Sequence, residues 1–184
     1  MKNKGNIYFI TSCAIVTALM CIFGPMSVPI GVIPISLTNL VIYFAIYILG
    51  WKGSTASYIV YILLGLVGLP VFSGFQGGPA KIVGPTGGYL LGFIFITLIA
   101  GFTFDKTKGK VRIPATILAM IVSTAITYFF GTAWFMAQTQ NDLATSLGLC
   151  VFPFIPFDLA KMVIATLIGM PVRSALVKSG MITK

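Results

Sequence analysis

The sequence contains no histidine and no glutamate, and its only acidic residues are Asp105, Asp142 and Asp158. General acid–base catalysis near neutral pH depends mainly on imidazole and carboxylate groups, so most of the equipment of a hydrolase is missing. A phosphate-binding GxxxxGK[ST] loop is also missing, because the only Gly-Lys pair, Gly109-Lys110, is followed by valine. We therefore expect no enzyme and no catalytic residues, and any energy for work must come from a partner or from a gradient.

Metal ligands are equally scarce. The three cysteines, Cys13, Cys21 and Cys150, form no CxxC motif, and without histidine they cannot complete a common zinc site. We interpret these thiols as small apolar packing residues. The sequence predicts neither a metal site nor a cofactor.

Charged residues make up only 8% of the chain, against about 25% in an average soluble domain. Hydrophobic residues make up 58%, and the mean hydropathy is +1.03. The apolar residues fall into six blocks, most of them long enough to cross a hydrocarbon layer of ~30 Å. We therefore predict an all-α integral membrane protein, a single domain over residues 1–184 with the lipid bilayer as its solvent. The predicted helices cover 8–23, 36–49, 54–72, 88–104, 114–137 and 157–177.

The charge that is present is mostly positive, since twelve Lys and Arg give a net charge of +9. In a soluble domain this balance would point to nucleic acid, but here most basic residues flank the apolar blocks, so we expect no nucleic-acid partner. With a cytoplasmic N-terminus, ten basic residues share one side, Lys81 lies opposite, and Lys161 falls inside the last block. This asymmetry requires an even number of helices, which predicts six with both termini in the cytoplasm. The ten are Lys2, Lys4, Lys52, Lys106, Lys108, Lys110, Arg112, Arg173, Lys178 and Lys184.

Two segments predicted on the outer side, 24–35 and 73–87, are rich in Gly and Pro, which interrupt helices. Residues 30–35 are expected to be membrane-embedded but irregular backbone beside the short second block. The loop 73–87 carries the Gln76 amide, and its glycines allow backbone groups to approach a ligand closely. Its apolar residues favour a lid or re-entrant cap over a flexible extracellular loop. We predict that these outer loops cap a ligand pocket.

The segment 138–156 shows no recognisable motif. Asp142 within it is predicted to cap a short interfacial helix, because Asp is a favoured residue at the start of a helix.

Two opposite charges, Asp158 and Lys161, open the last apolar block. A spacing of three places them on one helix face, and a lone charge in the bilayer costs roughly 2.5–3.5 kcal/mol on insertion scales. They predict either an ion pair near the outer interface or a polar ligand site, and the two interpretations are compatible. Asn39 and Tyr89, also near the outer ends of helices, are further candidates for contact with a solute.

The remaining tyrosines of the apolar blocks are interpreted as interfacial anchors, because the amphipathic ring of tyrosine favours the headgroup level of a membrane. These are Tyr43, Tyr47, Tyr58, Tyr61 and Tyr128.

The first helix carries Ala14 and Ala18, a small-xxx-small face that permits close approach of another helix. Spacing alone favours a partner helix within the same chain.

The stretch 84–93, GPTGGYLLGF, resembles the BioY family, the biotin-specific S components of energy-coupling-factor (ECF) vitamin transporters. The similarity continues in PISLT at 34–38, GxxGLPVF at 65–72 and PFDLxK at 156–161. Taken in this order, the matching segments cover nearly the whole chain.

The resemblance implies a high-affinity receptor for biotin in a bacterial cell membrane, with an outward-facing pocket. It also implies a transmembrane T component and two cytoplasmic ATPases as partners, which would supply the energy source that the chain lacks. In S components an alanine pattern on the first helix contacts the T component, so the resemblance favours Ala14 and Ala18 as a docking face. The ligand residues that it implies come from three outer segments: Asp158, Lys161, Tyr89, Gln76, Asn39, Gly84, Gly87 and Gly88.

Biotin suits these side chains, since it has a ureido group, an apolar sulfur ring and a valerate carboxylate. Asp158 can accept from the ureido N–H groups, or Lys161 can pair with the carboxylate, and the orientation stays open at this point. Lys161 is expected to bind as a cation and not to accept a covalent biotin. The alternatives are an S component for another vitamin and a partner-independent channel or facilitator, although a pore would need more polar residues along several helices.

Overall fold

The computed structural model describes the backbone of residues 2–30 and 33–182 and the side chains of residues 7–28 and 33–182. Within this range the chain is mostly helical, with one two-stranded antiparallel sheet and a single 3-10 turn at Gly109–Val111. The other elements, in chain order, are α1 (Lys2–Phe23), β1 (Ser27–Ile30), β2 (Ile33–Ser36), α2 (Thr38–Leu66), α3 (Pro79–Val83), α4 (Gly87–Lys106), α5 (Arg112–Thr139), α6 (Leu143–Cys150) and α7 (Ile155–Lys178).

The segment between α1 and α2 forms a β-hairpin, in which Ser27 lies opposite Ser36 and Pro29 opposite Pro34. The predicted irregular backbone over 30–35 is therefore wrong for the residues that the structure describes. Pairing satisfies backbone N–H and C=O groups that would otherwise be unpaired at membrane depth. Proline has no N–H to donate, which suits a sheet of only two short strands. The all-α prediction holds apart from this hairpin.

Helix α2 is broken at Gly50, which has φ 63° and ψ −164°. The Asp105 carboxylate occupies the space that a Cβ at Gly50 would need, and its Oδ2 accepts a hydrogen bond from the Trp51 N–H at 3.0 Å. The break separates two arms, 38–49 and 51–66, at the place where the sequence predicted a connection between two helices. Glycine is required there because other residues disfavour a positive φ.

Three helical stretches in the described part of the chain are long and apolar enough to cross a membrane. They are Gly87–Lys106, which is α4, Gly109–Thr139, which joins the 3-10 turn to α5, and Leu143–Lys178, which contains α6 and α7. Ile7–Phe23 is a shorter apolar helix. The arms of α2 are about 18 and 24 Å long at 1.5 Å per residue, short of a ~30 Å layer. The count of six spans and the cytoplasmic placement of both termini stay predictions.

The third predicted block, which was to run to residue 72, ends as a helix at Leu66. Gly68 then takes φ 106°, and an antiparallel bridge joins Phe72 to Gln76. The loop that follows contains the short helix α3, so it is a folded segment and not a tether.

Helix α2 is the centre of the bundle, since it packs against α1, α4 and α7, while α4 also packs against α5. Its four tyrosines are completely buried, so their interpretation as interfacial anchors is wrong. Each hydroxyl has a partner inside the protein, which removes the cost of burying a polar group. The pairs are Tyr43 with Thr124, Tyr47 with Thr166, Tyr58 with the Leu90 carbonyl and Tyr61 with the Val71 carbonyl.

The segment 138–156 contains α6, and the prediction that Asp142 caps a short helix is confirmed. Its Oδ2 accepts from the Thr145 N–H at 3.3 Å. The interaction with Thr145 lowers the pKa of the Asp142 carboxyl, because the hydrogen bond favours the charged form.

Candidate ligand site

A pocket opens at the end of the bundle where α2, α4 and α7 begin. Its walls enclose about 630 Å³ of space, including the open solvent at its mouth. The hairpin, the loop before α4, the α6 region and α5 complete its walls. The lining residues are Ile33, Pro34, Ser36, Thr38, Asn39, Ser73, Thr86, Tyr89, Leu90, Phe93, Tyr128, Cys150, Phe154, Asp158 and Lys161.

Four of these side chains form one hydrogen-bonded group, which we call the polar network: Asn39, Tyr128, Asp158 and Lys161. Asp158 Oδ1 accepts from Asn39 Nδ2 at 2.7 Å and from Lys161 Nζ at 3.1 Å. Its other oxygen, Oδ2, accepts from the Tyr128 hydroxyl at 2.7 Å. Both charged residues are buried, with 5% of Asp158 and 7% of Lys161 exposed.

Local structure explains how the charges meet. Asp158 lies in the first turn of α7, where the helix dipole favours a negative charge. Lys161 follows one turn later on the same face, so the two side chains reach each other without leaving the helix. The ion pair that the spacing predicted is present, and it lies in the wall of a pocket.

The Lys161 ammonium has three donors, and each has an acceptor from another part of the fold or from its own helix. Besides Asp158, they are Asn39 Oδ1 at 2.9 Å and the Ser36 carbonyl at 2.8 Å. The bond to Ser36 ties α7 to the end of β2. A buried charge is costly unless it is paired and fully hydrogen-bonded, and the polar network meets both conditions.

Tyr128 was missed as a site residue, since it was interpreted as an interfacial anchor. A signal for it exists in the sequence: Thr124, Tyr128 and Thr132 recur every four residues and so share one face of α5. These three bond to Tyr43, Asp158 and Tyr89, respectively. A polar stripe on an apolar helix would therefore have indicated the wall of a polar interior.

The predicted candidates divide into two groups. Asn39, Tyr89, Asp158 and Lys161 line the pocket, whereas the others do not. The Gln76 side chain is exposed.

The three glycines of the GPTGG stretch pack beside the pocket. The carbonyl of Gly84 accepts a hydrogen bond from Trp134 Nε1 at 3.0 Å. A Cβ at Gly87 would collide with the Ile82 carbonyl, and one at Gly88 with the Trp134 side chain. These glycines permit close packing behind Thr86 and Tyr89, which do line the pocket.

Ala14 and Ala18 are both exposed on α1. The pairing within the chain that their spacing favoured is therefore not made, and the face stays open to the surroundings.

Several apolar helices around a buried polar pocket define a multi-pass membrane protein that can hold a solute, the class that includes membrane receptors and transporters. Within that class, the family model of BioY matches residues 1–178. The chain therefore belongs to the BioY family.

Relatives agree with this assignment. The chain is 32% identical to the biotin transporter BioY2 of Lactococcus lactis subsp. cremoris, over 96% of this chain and 95% of that protein. It is 35% identical to the biotin transporter BioY of Thermotoga maritima, over 86% and 92%. The crystal structure of the S component for biotin from an ECF-type ABC transporter matches with a TM-score of 0.87 and 31% identity, covering 95% of both chains. Membership of a transporter family confirms that the chain is not an enzyme.

Proposed function

We propose that this protein is the S component of an ECF transporter and captures biotin at the outer face of a bacterial membrane for ATP-driven import. The proposal includes a single domain of six membrane helices with both termini in the cytoplasm. Its cargo is biotin, and no cofactor takes part.

The observation that carries this proposal is the polar network in the wall of the pocket. It combines a carboxylate, which only accepts hydrogen bonds, with the amide of Asn39, the hydroxyl of Tyr128 and the ammonium of Lys161. A ureido group needs acceptors for its two N–H groups and donors for its carbonyl. Apolar and aromatic surfaces of Phe93, Leu90 and Phe154 suit the sulfur ring.

The charge balance of the network favours the ureido end of biotin over the carboxylate end. Lys161 is paired with Asp158 at 3.1 Å, so the pair is neutral overall, and a solute can bond to the Lys161 donors by displacing a partner that they have within the protein. An isolated cation would suit the valerate carboxylate, but here a second carboxylate would be brought close to Asp158 and repelled. We therefore place the ureido group at the network and the valerate toward the mouth of the pocket.

Equilibrium binding of biotin to the purified, detergent-solubilised protein is the first test. We expect tight binding that weakens at least tenfold, ~1.4 kcal/mol, in Asp158→Asn and in Lys161→Ala. Asp142→Asn and Lys108→Ala make matched changes at exposed positions and should bind like the parent. Absence of binding by the folded parent would refute biotin as the cargo. Unchanged binding in both site variants would refute the network as its site.

Biotin methyl ester tests the orientation. With the ureido group at the network, the Lys161→Ala variant should weaken binding of biotin and of its ester by the same factor. A penalty that is present for biotin and lost for the ester would show that Lys161 pairs with the carboxylate. Competition of other vitamins with bound biotin tests whether the cargo is biotin or another vitamin.

Import requires an energy source, and the sequence has no phosphate-binding loop of its own. We propose that a T component and two cytoplasmic ATPases supply it, with exposed Ala14 and Ala18 as the docking face on α1. Reconstituted with these partners in vesicles, the protein should accumulate biotin only when ATP is present. Substituting both alanines with leucine should abolish accumulation and leave binding intact. Rapid equilibration of biotin by the protein alone would favour a facilitator.

A further inference from the structure

A second cavity lies at the opposite end of the bundle, where α4 ends and α5 begins. It contains about 1040 Å³ of space, including its opening, and polar and apolar residues line it. Its polar wall includes Arg112, Arg173 and Asp105, and its apolar wall includes Phe9 and Ile48. We call this the basic-end cavity. Its lining differs from that of the ligand pocket, because two arginines share it with one aspartate.

Phe104 brings the two guanidinium groups of this cavity together. The Arg112 group lies 4.1 Å and the Arg173 group 4.9 Å from the centroid of its ring. Arg112 Nε donates to the Phe104 carbonyl at 3.0 Å, and Arg173 Nη1 donates to the Tyr47 carbonyl at 3.0 Å. These contacts fix the positions of two like charges that would otherwise separate.

Arg112 keeps most of its donor capacity. A guanidinium has five N–H donors, and in the described part of the chain only the one on Nε has a protein partner. Asp105 is the acid of this cavity, but its Oδ2 is used by the Trp51 N–H, and among the described residues no ion pair joins it to Arg112. The Nη groups of Arg112 are thus available to an anion.

We propose that the basic-end cavity binds the phosphate headgroup of an anionic phospholipid. The planar guanidinium of Arg112 matches two phosphate oxygens, and Arg173 adds a second positive charge beside it. The apolar wall at Phe9 and Ile48 suits the acyl chains of a lipid rather than a free phosphate. Basic pockets between membrane helices are recurrent sites for anionic lipid headgroups. This proposal is independent of the cargo of the ligand pocket.

The test compares two lipids with the same acyl chains, one with an anionic and one with a zwitterionic headgroup. The full chain is purified in uncharged detergent, and native mass spectrometry counts retained dioleoyl-phosphatidylglycerol and dioleoyl-phosphatidylcholine at equal concentrations. Thermal unfolding is measured in parallel with each lipid and with free glycerol phosphate. The variants are Arg112→Gln and Arg112→Lys, with Lys108→Gln as a control that removes the same charge at an exposed position.

We expect the parent to retain phosphatidylglycerol in preference to phosphatidylcholine. Removing the Arg112 cation should weaken binding of the anionic lipid roughly fivefold in Arg112→Gln. Binding should weaken less in Arg112→Lys, which keeps the charge, and hardly at all in Lys108→Gln. Equal retention of the two lipids, or equal losses in Arg112→Gln and Lys108→Gln, would overturn the proposal. Stabilisation by glycerol phosphate as large as that by phosphatidylglycerol would assign the site to a free phosphate and overturn the proposal of a lipid site. If Arg112→Gln does not fold, the headgroup preference of the parent and its decrease in Arg112→Lys decide.

Discussion

At the pocket end of the bundle, Asp158 and Lys161 are buried and fully hydrogen-bonded. At the basic end Asp105 is exposed, and among the described residues only the Nε donor of Arg112 has a hydrogen-bond partner. The difference follows from access to water. A charge buried among apolar helices is tolerated only with its partners in place, while a charge at the rim can rely on solvent or headgroups. Acidic and basic residues therefore form a neutral, buried network at one end, whereas at the other end two arginines and one aspartate line an open cavity.

Removing one member of the buried pair should have the largest effect on stability. Lys161→Met should lower the free energy of unfolding by about 3–5 kcal/mol, because it leaves the Asp158 charge buried without its partner. The double variant Asp158→Asn/Lys161→Met should recover much of this loss. Thermal and denaturant unfolding in detergent measures both. The control, Lys108→Met, changes an exposed lysine, and an equal loss there would contradict the comparison.

Packing behind the pocket should give the next largest effect. Gly88→Ala places a methyl group against the side chain of Trp134, so we expect a loss of about 1–3 kcal/mol from overpacking. Gly148→Ala is the matched change at a helical glycine with open space around it, and it should be neutral or slightly stabilising. Unfolding of both variants by heat is the measurement. Similar stability for the two would show that the wall behind Tyr89 is loosely packed.

At the basic end, loss of a charge should cost less. Asp105→Ala removes the acceptor for the Trp51 N–H at the bend of α2, and we expect a loss of about 1 kcal/mol, typical of a missing helix cap. Unfolding in detergent again provides the value. A loss as large as that of Lys161→Met would mean that a charged residue contributes as much to stability at the basic end as at the pocket end.

The smallest effect is expected at Asp142, which lines neither the ligand pocket nor the basic-end cavity. Because the Thr145 interaction lowers the pKa of this carboxyl, its stabilising contribution is complete above the ordinary value of about 3.9 and is lost as the pH falls through the lowered pKa of the folded state. Asp142→Ala should therefore lower Tm slightly at pH 7, and the difference from the parent should shrink as the pH is lowered below about 3.9. A pH series of Tm for the two proteins measures this, and Asp142→Asn should keep the cap throughout the series.

The pairing of Asp158 with Lys161 could be predicted because it lies within one turn of one helix. The other half of the network could not, since Asn39 and Tyr128 are 119 and 30 residues away from Asp158 and meet it only through helix packing. The long apolar blocks likewise predicted the long helices, but the buried tyrosines of α2 were wrongly interpreted as interfacial anchors. A tyrosine at a membrane surface and one bonded inside a bundle look alike in a single sequence, because the partner hydroxyl lies on another helix.

Prediction from the sequence was limited in the same way for the backbone of the hairpin. Gly and Pro predicted correctly that α1 ends before residue 24, and α2 begins at Thr38, two residues after the predicted start at 36. They could not predict the register of Ser27 with Ser36, which depends on hydrogen bonds between two strands.

Because every donor of the Lys161 ammonium already has an acceptor, a solute that enters the pocket can gain a bond there only by displacing one. Affinity is then the difference between two nearly complete sets of bonds, and it is small for any molecule that restores only some of them. A solute with the wrong pattern leaves a buried donor or acceptor without a partner, which is far more costly than a missing methyl contact. With biotin as the proposed cargo, the hydrogen bond from Lys161 to Ser36 would make binding selective, because the Ser36 carbonyl competes with the solute for the ammonium.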